Sequence, residues 1–541
     1  MQLLNANRYT RLDLLVIALV ILIGLVHLPY PFHGDQALFT VGASKISRGA
    51  LLYRDFWDLK QPGIFGFYLL AGTLFGFSEV GIHAFELFYM VVFSVVLLIT
   101  LKSYFKSPAI ASLVPLLTVG MYYGVSRDWH LTQVEGLVGF PMFLSLWFAS
   151  QYSRRKGRGA LQVFLSGFMG GLVLLFKFLF FPILISFWLT MLIDAVAQKH
   201  EQLLGALIRI SVPVILGLLF PLAIMIGYFA WFDILNLLNH TFFEYPARAV
   251  AELPGHHIGF IKEGFLWWLS GFTPLTAFAF VWAYASLNKR IELLTANFGL
   301  WLVLGLCVIF LQRHSWWEYH YLLLFVPLGV LAAKGLDVLW ERIKETNPSL
   351  SYGKNRMAVV LGVALLFSPI LVSLVSKSLS VARAGFALRK EQRLKYQSKI
   401  SEHYKTAMTE VAFLSEPDSL PGDIYICGNP VYYYLSGRNQ AIAINGWSIN
   451  LLLPEQWAQL TNQLAEVLPP YIFADTLNAE LIFKLSPQTS RFIEENYRVL
   501  RRSDAGTWYV LQDNLQARPR PERSAEPLGK RDDHVHINKL S

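Results

Sequence analysis

Apolar runs of roughly membrane-crossing length dominate this chain and exclude most folds. At about 1.5 Å per residue, a helix needs roughly 20 apolar residues to cross about 30 Å of hydrocarbon. Eleven runs approach that length, at 12–29, 80–100, 108–124, 134–151, 160–178, 181–197, 210–230, 264–287, 293–311, 320–340 and 357–377. The composition agrees: 54% of the 541 residues are hydrophobic and 15% are charged, against about 25% charged in soluble domains. The pattern predicts a polytopic α-helical membrane protein.

Basic residues recur in alternate loops. They are Lys102 and Lys106, then Arg154, Arg155, Lys156 and Arg158, then Lys199 and Arg209, Lys289 and Arg290, and Arg342, Lys344, Lys354 and Arg356. Positive loops stay on the inner face, which places the N-terminus inside and the 30–79 loop, the 231–263 loop and everything after 377 outside. Much of the net charge of +9 lies in these loops, so it need not mean nucleic acid, and membrane lipids are the expected surroundings. Arg8 and Arg11 precede the first run without an evident small-residue cleavage site, so a retained signal anchor is expected. Cys307 and Cys427 fall in different layers, and no disulfide framework is expected.

The first outer loop, 30–79, concentrates polar groups at headgroup depth: Asp35 and Asp58, Lys45, Arg48, Arg54 and Lys60, with Tyr53 and Trp57 among them. Residues 36–48 read as a short helix lying at the interface and ended by Gly49. Pro62 starts a second helix, Ile64 to Phe75, half-sunk in the membrane. Carboxylates and cations at this depth suit chemistry on a lipid phosphate.

An Asp just after the first span, an interfacial helix and a Lys-Pro segment together resemble membrane glycosyltransferases of the GT-C class. The similarity is to the family-39 branch, which includes protein O-mannosyltransferases and the lipid A aminoarabinose transferase, and it runs over roughly 10 to 515. That branch often carries Glu-Lys-Pro-Pro; here Asp58-Leu59-Lys60-Gln61-Pro62 keeps an acid, the Lys and one Pro.

On spacing alone, Asp35 suits the N-cap of the helix that follows it. The resemblance implies instead a catalytic base that takes the proton of an acceptor hydroxyl. Lys60, with Arg48 or Lys45, suits a phosphate released from a lipid carrier, and basic residues facing anionic headgroups are the plain alternative. In the second outer loop, Glu135 lies at the start of a span, where a buried acid is expensive. The resemblance implies a second acidic position there, filled by Glu135, with Asp128 and Asp58 as the other candidates. Asp35 and Glu135 together are candidate ligands for a divalent cation (Mg or Mn). Lys177 either snorkels to the interface or binds the donor phosphate. Arg313 is a further phosphate candidate, and the histidines at 240, 256 and 257 read as loop residues.

From 378 the chain turns polar. Strand-like runs at 423–428, 441–444, 471–474, 497–500 and 508–511, with a helical pattern over 454–468, predict a small α/β domain over 378–515. It shows no phosphate-binding glycine motif and is expected to supply no catalytic group. The Pro-rich charged end, 516–541, reads as a disordered tail.

Residues 1–377 thus form the expected GT-C-like catalytic module, carrying an extracytoplasmic α/β domain. The expected activity is inverting transfer of a sugar, hexosyl or pentosyl, from a polyprenyl-phosphate donor to an acceptor hydroxyl on a lipid, glycan or protein, at the outer face of the inner membrane. The inverting outcome is implied by the resemblance alone. Two other readings are a flippase or transporter of lipid-linked sugars, which would want ionisable groups deep in several spans, and a non-catalytic assembly partner.

Overall fold

The first helix, Arg11–Leu25, opens on a reciprocal cap: Asp13 N–H donates to Thr10 Oγ1 (3.2 Å) and Thr10 N–H to Asp13 Oδ2 (2.6 Å). The same carboxylate accepts from Lys102 Nζ (2.7 Å) and Ser112 Oγ (2.6 Å), which ties three helices together at one end of the bundle. The computed structural model describes residues 10–154, 159–197, 203–253, 259–287, 291–312, 316–346, 352–387 and 389–512. The tail at 516–541 lies outside them.

Six of the described helices are long and apolar enough to cross a membrane: Glu79–Tyr104, Phe178–Ala197, Leu203–Trp231, Ile261–Ser286, Leu293–Leu311 and Glu318–Glu345. On Leu203–Trp231 the side chains of Leu204, Ile208, Leu216 and Ile224 are more than half exposed, an arrangement that only a lipid surround makes stable. The expected run at 108–124 is helical but broken. It divides into Pro108–Ser112, the π-turn Leu116–Gly120 and Met121–Val125, with Pro115 at the junction removing a backbone donor. The run at 134–151 divides likewise into Val134–Leu137 and Gly139–Arg154.

The first outer loop differs from the interfacial picture. Gly34–Ser47 is a helix, but Ala37, Leu38, Phe39 and Ala43 are all fully buried. Protein, not lipid, covers it: the helix Pro62–Phe75 on one side and Val431–Ser436 of the C-terminal region on another.

The C-terminal region carries a sheet of β1 (Tyr425–Cys427), β2 (Tyr471–Asp475), β3 (Tyr497–Ser503) and β4 (Gly506–Leu511), in the order β1-β2-β4-β3. β1 and β2 run parallel, joined across the helix Pro454–Val467, and the other pairs are antiparallel, with Phe473 opposite Trp508. The run 441–444 is not a strand of this sheet. Its neighbourhood makes isolated bridges only, Gln440 to Ile424 and Ile444 to Trp57, so its backbone is shared between the sheet edge and the first outer loop. Two buried contacts fasten this region to the bundle. Glu79 accepts from the hydroxyls of Tyr404 (2.6 Å) and Tyr434, and Asn445 Nδ2 donates to the Trp57 carbonyl (2.8 Å). Tyr404, Ile426, Phe473 and Trp508 belong to the same apolar core as the bundle helices.

Candidate active site

Asp35 is the second residue of the helix Gly34–Ser47, behind its N-cap His33. Gln36, not Asp35, accepts the His33 N–H (3.0 Å), so the capping role falls to a neighbour. Both Asp35 oxygens point elsewhere. Oδ1 accepts from Trp447 Nε1 at 2.8 Å, Oδ2 from Tyr319 OH at 3.2 Å, and Lys60 Nζ lies 3.5 Å from Oδ2. Gly34 makes this possible. Its φ is +33°, and a Cβ there would lie 2.4 Å from the Trp447 ring.

Lys60 is delivered by a tight loop. Asp58 Oδ1 accepts the Lys60 N–H (2.7 Å), Asn445 Nδ2 donates to Asp58 Oδ2 (3.3 Å), and Tyr53 OH donates to the Lys60 carbonyl (2.7 Å). The helix that follows starts at Pro62. At Gly63 a Cβ would come within 2.6 Å of the Leu175 backbone, so glycine lets this helix start abut the end of Ala160–Phe176. Lys177 stands there, on an extended residue (φ −165°) between two helices.

Lys177 Nζ donates to Glu135 Oε1 (2.7 Å) and to Gln312 Oε1, and His320 Nε2 lies 3.7 Å from Glu135. The site therefore joins two acid–cation pairs, Asp35–Lys60 and Glu135–Lys177. Burial works against a charged Lys60, but Asp35, Asp58 and Glu135 outweigh it and hold the ammonium above its ordinary pKa. Burial pushes the Asp58 carboxyl up to about 6, against the pull of Lys60.

The other expected residues lie elsewhere. Arg48 is exposed and binds Asn439 Oδ1 (2.9 Å), and Lys45 donates to the carbonyls of Asp55 (3.1 Å) and Gln440 (3.2 Å). Both therefore tie down the C-terminal region instead of standing by Asp35. Asp128 is half-buried near Arg127 and His403, and burial raises its carboxyl to about 6; it does not join Glu135. His240 pairs with Glu244 (3.1 Å). Arg313, His256 and His257 lie outside the described residues.

Asp35 and Glu135 each face an ammonium group, and among the described residues no group of three His, Cys, Asp or Glu side chains is placed to hold a metal.

Sequence reasoning missed four contributors. Trp447 comes from the C-terminal region, which was expected to supply no catalytic group, and it orients Asp35 without being one. Tyr319 reads in sequence as one more belt aromatic. Glu318 anchors that segment by accepting from Trp129 Nε1 (2.7 Å) and pairing with His130 Nε2 (2.8 Å). Glu86 is buried inside a span, where its type alone is a signal. It accepts from Thr132 N–H (2.9 Å) and Tyr122 OH, and so braces the turn whose carbonyls at Asp128 and Leu131 accept from Gln36 (both 2.9 Å).

No protein-family model matches the sequence, and no curated protein matches it. Solved structures do. ArnT from Cupriavidus metallidurans bound to undecaprenyl phosphate superposes with a TM-score of 0.56 at 14% identity, over 94% of this chain and 99% of that one. Its apo state superposes with the same TM-score and identity, over 94% of this chain and 98% of that one. This agrees with the resemblance drawn from the first-loop motifs. At 14% identity the likeness shows the fold alone, and across 94% of its length this chain has the ArnT fold.

Proposed function

We propose that this chain is a membrane glycosyltransferase that moves a sugar from a polyprenyl-phosphate donor to an acceptor hydroxyl. The observation that carries the proposal is the Asp35 carboxylate 3.5 Å from Lys60, in a fold whose ArnT counterpart was crystallised with undecaprenyl phosphate.

The acceptor oxygen attacks the anomeric carbon, the bond from that carbon to the phosphate oxygen breaks, and the acceptor proton passes to Asp35. The phosphate leaves on its lipid. Trp447 and Tyr319 aim the two carboxylate oxygens before substrate arrives. That matters because a general base acts only within hydrogen-bond reach of its proton. Lys60 and Lys177 supply the counter-charge for the departing phosphate, so two ammonium groups take the part otherwise given to a divalent cation. Glu135 holds Lys177 in place. The site faces the outer side of the inner membrane, in keeping with the alternation of basic loops.

The test uses purified protein, an undecaprenyl-phosphate sugar labelled in the sugar, and a cell-envelope extract as acceptor. Label should move into the acceptor with wild type and barely with Asp35→Asn. Movement of intact donor across a vesicle membrane without transfer would support the transporter reading in its place.

A further inference from the structure

A cleft of about 490 Å³ opens between the first outer loop, the 236–244 segment and the C-terminal region. Its lining includes the amides of Gln459 and Gln463 and the ring of Trp57, with Gln456, Tyr53 and Thr241 almost fully buried behind them. Asn236 and Asn239 add further amides at its edge.

The one cationic side chain among the described lining residues is paired, and their one carboxylate is hydrogen-bonded but keeps its charge. Arg54 pairs with Asp55 (2.9 Å), and Glu244 accepts from Asn239 (2.6 Å) and His240 (3.1 Å). Among the described residues the cleft thus offers no free cation to an anionic ligand, and apart from Glu244 its uncommitted wall is neutral. Primary amides both donate and accept, matching hydroxyl groups, and ring faces cover apolar C–H surfaces. Gln463 is held through its oxygen by the N–H groups of Ala443 (3.1 Å) and Ile444 (3.2 Å), which leaves its NH2 as a donor. Thr241 is 1% exposed, and its Oγ1 has no hydrogen-bond partner among the described residues. A buried hydroxyl left unpaired is costly, and Thr241 is among the residues at the cleft.

The cleft also lies close to the chemistry. Trp57 borders both it and a smaller cavity reaching Asp58 and Asn445. Ile444 lines the cleft, and three residues later Trp447 holds Asp35, a separation of at most about 11 Å of extended chain.

We infer that this cleft binds a neutral carbohydrate portion of the acceptor, seating it against Trp57 with its reactive hydroxyl toward Asp35. The inference rests on the glycosyl-transfer reading for its purpose, but binding is measurable without turnover.

The experiment uses fluorescently labelled full-length protein in lipid nanodiscs, applied to a printed array of neutral and charged glycans. In parallel, binding of undecaprenyl phosphate to the same particles is measured. Wild type should bind a set of neutral glycans. Gln459→Trp, at an exposed lining position, should lower that binding at least about tenfold by filling the cleft, and Asn236→Leu, also at an exposed lining position, should lower it roughly fivefold by removing one hydrogen bond. Neither substitution should change undecaprenyl phosphate binding. A silent array beside intact undecaprenyl phosphate binding overturns the cleft assignment and leaves the transferase reading standing, and so does glycan binding indifferent to both variants. Glycan binding lost in both variants, from a protein that does not bind undecaprenyl phosphate, supports the cleft and overturns the donor.

Discussion

Trp447 donates its indole N–H to Asp35 Oδ1 across 2.8 Å, although 412 residues separate the two in sequence. The contact makes the C-terminal region part of the site. Asp35→Asn preserves shape but removes the proton acceptor, and transfer should fall roughly 10²–10⁴-fold, with the melting temperature in detergent little changed. Trp447→Phe should keep the ring packing and lose only the hydrogen bond. Its effect should appear in kcat rather than in donor KM, because Trp447 orients the base and does not touch the phosphate. A full rate for Trp447→Phe would remove it from the site.

Lys60 and Lys177 are assigned the same task from opposite sides, so their variants should not behave independently. Lys60→Ala and Lys177→Ala are each expected to weaken undecaprenyl phosphate binding, and the double variant should lose less than the product of the two. Titration of the lipid into nanodisc-held protein measures this. Glu135→Gln offers a contrast: it unpairs Lys177 without removing a cation, so donor binding should survive better than in Lys177→Ala.

Asp58 should be visible in the pH dependence of stability. Its carboxyl is raised from 3.8 to about 6 by burial, so its protonated form favours the folded state. That advantage is complete below the ordinary carboxyl range near 3.8 and is lost as pH rises through about 6. Asp128 is raised to about 6 for the same reason. Melting temperature in detergent between pH 4 and 8 should therefore carry a downward contribution from each across that window. Asp58→Asn should remove its own share, and an unchanged pH profile in that variant would show that Asp58 does not titrate there.

Glu79 is the fastening between bundle and C-terminal region, with two tyrosine hydroxyls on one buried carboxylate. Glu79→Leu leaves both hydroxyls unsatisfied, at about 1–3 kcal/mol each, and should lower the melting temperature by several degrees. Transfer should fall too, since Trp447 would no longer be held over Asp35. Tyr404→Phe removes one donor and should give the milder form of both effects.

The orientation expected from loop charge can be tested directly. Alkaline phosphatase fused after residue 400 should be active, and fused after Arg155 inactive. The reverse pair of results would invert the topology and place Asp35 on the inner face.

Read alone, the sequence was enough for the membrane class and for singling out the 30–79 loop, with Asp35 and Lys60 in it, as the candidate site. Apolar run length and basic-loop alternation report the energetics of a lipid solvent residue by residue, and no tertiary information is needed to read them. The strands at 425–427, 471–475, 497–503 and 506–511 were legible for a similar local reason, because apolar and β-branched runs between turn residues mark them. Residues 441–444 were not, since whether an extended run joins a sheet depends on what lies beside it, here Trp57. The same limit explains the site. Arg48 and Lys60 look alike as loop cations, yet one is exposed against Asn439 and the other stands among three carboxylates. Only packing decides this: Gly34 admits the Trp447 ring and Gly63 admits the Leu175 backbone. Those two close approaches bring distant segments together around Asp35, and a close approach between segments leaves no periodicity in either of them.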